Sequence, residues 1–193
     1  MNEPDYTAMQ QGELDWWRAW LAQPHGQARI LALYGYRYLD FFFAEFGNLG
    51  RVIDFGSGPV SAAYIGDPPP DLVWCVDPLF HQYREAGLLY DKTMIEVDQC
   101  LSHPRPFDTA LLLNVLDHCD DPAGLVAAAG LALRPGGKAL LWVHAEVPPD
   151  ALHRRVLVTD VPAWLHQAGL VIERTKLRMH MGPPQFMALG RKP

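Results

Sequence analysis

Along this chain, short apolar runs alternate with stretches of mixed polarity. Residues 51–55, 72–76, 94–97, 107–113 and 138–144 are such runs. The first four are closed by Gly56-Ser57-Gly58, Asp77-Pro78, Asp98 and Asn114. Short apolar runs bounded by turn residues read as strands buried on both faces. The stretches between them read as helices. One is predicted from about Pro59, since proline is comfortable in a first helical turn. A second runs through Arg84 and Glu85. A third has Asp121 as N-cap and Pro122 at its first position, and continues through Leu125, Ala128, Ala129 and Leu133 until Pro135-Gly136-Gly137 stops it. A fourth runs from about Asp160 to Gly169. Two strand-like runs, 170–179 and 185–190, finish the chain, with residues 181–184 as a hairpin loop.

Residues 14–46, ahead of the first strand, are aromatic and helix-periodic, with a break near Pro24 to Gly26. Trp16, Trp17, Trp20 and Leu21 fall at helical spacing, as do Leu31, Tyr34, Tyr38 and Phe42 with Ile30 and Leu33 alongside. The whole pattern predicts an α/β fold: a doubly wound, mostly parallel seven-stranded sheet with helices on both faces and an antiparallel C-terminal hairpin strand. The expected organisation is a single compact unit, with residues 1–46 as an N-terminal helical cap and 47–193 as the sheet domain.

Composition narrows the function. The chain has 193 residues, 49% hydrophobic and 20% charged, enough for one full core. A net charge of −6 and the lack of any Lys/Arg run argue against a nucleic-acid partner. No apolar stretch approaches the ~18 residues of a membrane span, and the polar N-terminus is unlike a signal peptide, so a cytoplasmic protein without a membrane partner is expected. Cys75, Cys100 and Cys119 match no zinc spacing and read as reduced thiols.

In an open parallel sheet, ligands bind beyond the carboxyl ends of the strands. The residues found there are Asp54 to Gly58, Asp77, Asp98 and Asn114 to His118. Gly56 and Gly58 let the backbone turn sharply and approach a ligand closely, and a following helix N-terminus would offer free N–H groups. A dinucleotide fingerprint needs a third glycine where this chain has Ser61. Asp77 lies about 20 residues past Asp54, the spacing at which a carboxylate holds ribose hydroxyls.

Together these pieces resemble the class I (Rossmann-like) S-adenosylmethionine-dependent methyltransferases. The likeness covers roughly residue 51 to the C-terminus. Val52-Ile53-Asp54-Phe55-Gly56-Ser57-Gly58 looks like the family's glycine-rich motif, and Val76-Asp77-Pro78 like its acidic one. Residues 107–118, ending Asn114-Val115-Leu116-Asp117-His118, are similar to its fourth-strand motif, and Leu133-Arg134-Pro135-Gly136-Gly137-Lys138 to the turn into its fifth strand. The resemblance implies S-adenosylmethionine as cofactor and S-adenosylhomocysteine as product. It places Gly56, Ser57 and Gly58 at the methionine part, Asp54 below the loop, and Asp77 with Pro78 at the ribose. Asp98 and Gln99 would flank the adenine, and Asn114, Val115 and Leu116 would approach the sulfonium. Pro59-Val60 after the loop departs from the pattern.

The expected reaction is methyl transfer to oxygen or nitrogen of a small-molecule acceptor. Candidate bases are His118 and His144, each ending a strand motif and each with an imidazole suited to proton transfer near neutrality. His180 reads as structural, and His153 has no comparable placement. One of Tyr34, Tyr36 and Tyr38 could touch a ligand from the N-terminal cap. Asp117, Asp120 and Asp121 could in principle form an oxygen-only metal set, but Asp121 is explained as a helix cap and no metal is expected. Two alternatives stand beside this reading: a catalytically silent methyltransferase-like binding domain, and a nicotinamide-dependent oxidoreductase.

Overall fold

A computed structural model of the chain describes residues 6–89, 93–94, 101–102, 106–150, 153–179 and 183–193. Two helices come first, α1 (Tyr6–Leu21) and α2 (Gly26–Phe46). Strand β1 (Val52–Phe55), β2 (Val73–Val76), helix α3 (Phe80–Glu85) and the two-residue β3 (Thr93–Met94) follow. Then come β4 (Phe107–Leu113), α4 (Pro122–Ala132), β5 (Leu133–His144), α5 (Asp160–Gln167), β6 (Val171–Arg178) and β7 (Gln185–Arg191).

Six strands of four to twelve residues, with β3 beyond β2, form one mixed sheet in the order β3-β2-β1-β4-β5-β7-β6. The pairings β2–β3, β1–β2, β1–β4 and β4–β5 are parallel, and β7 lies antiparallel to both β5 and β6. The winding therefore reverses direction between β1 and β4. A crevice opens at such a point because the connections leave toward opposite sides.

Alternation along the strands sends successive side chains into two separate cores. Ile53, Phe55, Ala110, Leu112, Leu141 and Val143 meet Val126, Ala129, Val161 and Leu165 of α4 and α5 on one face. Val52, Cys75, Leu111, Leu113, Leu140 and Trp142 meet α1 and α2 on the other. Helix α2 buries every fourth residue (Ile30, Tyr34, Tyr38, Phe42 and Phe46) and kinks at Phe42, whose φ is −109°. Each such side chain contributes roughly 1.5–3 kcal/mol of burial. Asp121 caps α4 by accepting from the Gly124 N–H at 2.8 Å.

The segment after the glycine loop differs from expectation. No α-helix starts at Pro59; a five-residue 3₁₀ turn, Ala62–Gly66, occupies the place. Gly56 and Gly58 both take left-handed φ values, +66° and +57°, so the chain leaves β1 by a double reversal. Ser61 then caps the short turn: its Oγ accepts from the Ala63 N–H at 3.2 Å and donates to the buried Asp54 Oδ2 at 2.5 Å. Asp67, in the left-handed region, and the prolines 68–70 end the turn before a helix can propagate. A smaller difference lies at β5, which begins at Leu133 because Pro135-Gly136-Gly137 runs on as exposed strand, with Gly136 N–H donating to the Lys192 carbonyl.

Candidate active site

Two adjoining cavities open at the carboxyl ends of β1 and β4. The first, about 260 Å³, is lined by Gly56, Asp77, Pro78, Asn114, Val115 and His118, with Met9, Gln10 and Glu13 of α1 over it. The second, about 180 Å³, is lined by Trp16, Trp17, Tyr34, Arg37, His144 and His153. Four residues belong to both walls: Glu13, Gly56, Asn114 and His118.

The first cavity is built largely by local backbone chemistry. Asp77, at the end of β2, accepts from the Gly58 N–H at 2.8 Å through Oδ2 and from the Leu79 N–H at 2.9 Å through Oδ1. Its carboxylate thereby ties the glycine loop to the start of α3. Asn114 ends β4 with φ +63°, a left-handed conformation that asparagine tolerates better than most residues. Its Oδ1 is buried without a hydrogen-bond partner among the described residues, and its Nδ2 lies 3.4 Å from His118 Nε2. A Cβ on Gly56 would collide with the Val115 side chain, and one on Gly58 would sit 2.5 Å from the Trp17 ring. The loop glycines thus admit Val115 and the α1 indole. Asp54, Ser57, Gly58 and Leu116 lie behind the cavity wall: Asp54 is bonded to Ser61, the Ser57 hydroxyl donates to the Gly58 carbonyl, and Leu116 packs in the α4 core. Asp98 and Gln99 fall outside the described residues, as does His180.

The second cavity is built by charge and rings. His118 and His144 are 17% and 16% exposed, and both face Asp117, which is fully buried. Asp117 Oδ2 is 3.9 Å from His118 Nε2 and 3.9 Å from His144 Nδ1, and neither carboxyl oxygen has a hydrogen-bond partner among the described residues. Burial holds that carboxyl above the usual carboxylate range, offset in part by the His118 ring. Burial, followed by the Arg37 charge, pushes His144 down to about 4, so its imidazole is neutral at physiological pH. Glu13 reaches in from α1: its Oε1 accepts from the Trp17 indole N–H at 2.8 Å, and its Oε2 is 3.6 Å from His118 Nδ1. His153 stacks obliquely on His118, centroids 4.7 Å apart, with its Nδ1 2.9 Å from an Asp150 carboxylate oxygen. Tyr34 is held well above the ordinary tyrosine range by burial and stays a neutral phenol.

His118 and His144 both line the second cavity. Glu13, Arg37 and His153 join them without a signal from the strand motifs. Glu13 and Arg37 stand on helices that read as amphipathic packing, and His153 on a loop. Asp120 and Asp121 do not enter: Asp120 pairs with Arg154 at 2.5 Å and Asp121 caps α4. Among the described residues, one donor atom each of Asp117, His118 and His153 lie within 4.8 Å of one another, a mixed nitrogen and oxygen set unlike the oxygen-only one weighed from the sequence. Burial raises the Cys119 thiol, in the first cavity, to about 12, so it is no nucleophile at neutral pH.

Comparison with known proteins bears on the family and the fold. A family model described as a methyltransferase domain matches residues 23–178. The ubiquinone biosynthesis O-methyltransferase of Xanthomonas euvesicatoria is 30% identical over 154 residues, 64% of this chain and 63% of that protein. The chain therefore spans a little under two thirds of that relative's length. Among solved structures, a SAM-dependent methyltransferase from Archaeoglobus fulgidus superposes with a TM-score of 0.63 at 13% identity, covering 84% of this chain and 94% of that one. A 1,6-didemethyltoxoflavin-N1-methyltransferase from Burkholderia thailandensis, solved with its substrate and S-adenosylhomocysteine, gives 0.56 at 20% identity, over 89% and 91% of the two chains. With the reversal of winding at β1 and β4, an antiparallel β7 between β5 and β6, and a family match over most of its length, the chain belongs to the class I S-adenosylmethionine-dependent methyltransferases.

Proposed function

We propose that this protein transfers a methyl group from S-adenosylmethionine to an oxygen or nitrogen of a small-molecule acceptor seated in the second cavity. The carrying observation is that His118 stands in the wall common to both cavities. A group at that junction can touch an acceptor while the acceptor points into the first cavity.

The first cavity suits the cofactor in its chemistry. The Asn114 Oδ1, buried without a partner, is an acceptor awaiting a donor, since a buried polar atom left unpaired costs ~1–3 kcal/mol. Asp77 presents a carboxylate suited to vicinal ribose hydroxyls. Val115, Leu79 and Leu125 supply apolar wall. When bound, the cofactor supplies an electrophilic methyl group on a sulfonium. The protein's residues then need chiefly to hold and align the acceptor, a contribution of ~7–11 kcal/mol in well-oriented systems. Tyr34, Trp16 and Trp17 form flat walls for that purpose. His118 accepts the proton that a hydroxyl acceptor releases. Glu13 Oε2 lies 3.6 Å from the His118 Nδ1 and holds the ring in place. His144, pushed down to about 4, is a poor base at neutral pH and serves as a neutral hydrogen-bonding wall. The Xanthomonas relative's O-methyltransferase name supports an oxygen acceptor.

Calorimetry with S-adenosylhomocysteine, followed by assay of S-adenosylhomocysteine formation against a panel of phenols and amines, tests the proposal. Micromolar binding with turnover that falls about 100-fold in His118→Gln is the expected result. A folded protein that ignores S-adenosylhomocysteine overturns it. A binding-only reading draws on one observation, the missing α-helix after the glycine loop, which removes a set of backbone donors. That reading predicts binding of S-adenosylhomocysteine with transfer to no acceptor.

A further inference from the structure

Among the described residues, Arg37 is the one lining residue of the second cavity with a fixed positive charge. It is partly buried, with its guanidinium 5.3 Å from the centroid of the Trp142 ring. Arg134, Arg154, Arg174 and Arg191 each pair with a carboxylate: Asp108, Asp120, Glu45 and Glu173. Among the described residues no carboxylate pairs with Arg37 in this way. The acids nearest the cavity face other groups than Arg37. Glu13 is taken by the Trp17 indole and the His118 ring, and Asp117 sits between His118 and His144. The Arg37 charge does reach the cavity, since it helps hold the His144 ring neutral.

A partly desolvated guanidinium without a counter-charge is costly, and its planar fork matches a carboxylate in two parallel hydrogen bonds. The rest of the cavity fits the remainder of such a ligand. At about 180 Å³ it holds the equivalent of roughly six waters at ~30 Å³ each, the scale of one substituted ring. Trp16, Trp17 and Tyr34 offer aromatic faces to it. We infer that the acceptor is a small hydroxylated aromatic acid and that Arg37 selects it by pairing with its carboxylate, leaving the hydroxyl to His118.

This inference rests on the second cavity being the acceptor site, and its test is a binding measurement. The full chain, saturated with S-adenosylhomocysteine, is titrated with 3-hydroxybenzoate and with its neutral isostere 3-hydroxybenzamide. The acid should bind about tenfold or more tightly than the amide, the gain expected of a charge-assisted pair. In Arg37→Gln the two should bind equally, with S-adenosylhomocysteine affinity unchanged and cooperative unfolding retained. Arg37→Lys should restore part of the preference. Equal binding of acid and amide to the wild type, a preference that survives Arg37→Gln, or no binding of either ligand overturns the inference. Failure to bind S-adenosylhomocysteine at the outset instead overturns the cofactor reading beneath it.

Discussion

The two cavities share a wall yet are made in different ways. In the first, backbone groups and glycines at neighbouring strand ends do most of the shaping: Asp77 ties down Gly58 and Leu79, while Gly56 lets Val115 close in. In the second, side chains from α1, α2, the end of β5 and the loop carrying His153 converge on a buried carboxyl. A site made of backbone tolerates little change in shape. A site made of side chains on separate elements can change its chemistry one residue at a time. On the proposed reading, a cofactor cavity of the first kind joined to an acceptor cavity of the second lets one fold serve many substrates.

Substitution at the loop should break that contrast most severely. Gly56→Val places a branched Cβ against Val115 at a φ of +66°. Overpacking and backbone strain together should cost about 3 kcal/mol or more. Urea unfolding checks the stability, and calorimetry should show S-adenosylhomocysteine binding lost. Retention of both would mean that the loop yields, and that the first cavity is not rigid.

The junction comes next. His118→Gln should lower turnover about 100-fold, while S-adenosylhomocysteine affinity moves less than about threefold. A parallel fall in both would make His118 a wall of the first cavity alone. Asp77→Ala should do the reverse, weakening S-adenosylhomocysteine by about tenfold and leaving the Gly58 and Leu79 N–H groups without their acceptor, a stability loss of ~1–3 kcal/mol.

The smallest effect is on pH dependence. His144 falls from an ordinary 6.5 to about 4 in the folded state. The folded chain then binds fewer protons than the unfolded one between those values. The His144 contribution is therefore fully present above pH 6.5 and is lost as pH falls toward 4, on the order of 1 kcal/mol once solvent screening is allowed for. Asp117, raised by burial, acts with the opposite sign: its contribution is fully present below the ordinary carboxylate range and is lost as pH rises through its folded value. His144→Asn should flatten the acid limb of the stability curve, and the His144 ring resonance in NMR should titrate near pH 4. A midpoint near 6.5 would show the second cavity to be wetter than its burial implies.

Much of the first cavity is legible one segment at a time. The apolar runs ending in Gly56, Asp77 and Asn114 signal strand ends by themselves, and Asp121-Pro122 signals a helix start. The helix expected from Pro59 is where that reasoning fails, because it weighs proline's fit to a first turn and misses the double left-handed reversal before it and the Ser61–Asp54 bond that holds a shorter turn. Ser57, Gly58 and Leu116 stand on the expected loop and strand end but are not among the residues lining either cavity, because the path of the backbone there, which one motif does not specify, decides which groups face inward.

By itself the sequence determined the strand-like runs, the doubly wound α/β class and a histidine closing each of two strand motifs, because periodicity, glycine and turn chemistry act over a few residues. Only the tertiary structure decided that Trp17 would cover Gly58, that Glu13 and Arg37 would face His118 and His144, and that His153 would complete the cluster. Those residues meet because the apolar faces of α1 and α2 are buried against β1, β4 and β5. The polar residues on the same helices are carried into the site by that packing. A contact made by burial of one face is set by groups far apart along the chain, and no local pattern reports it.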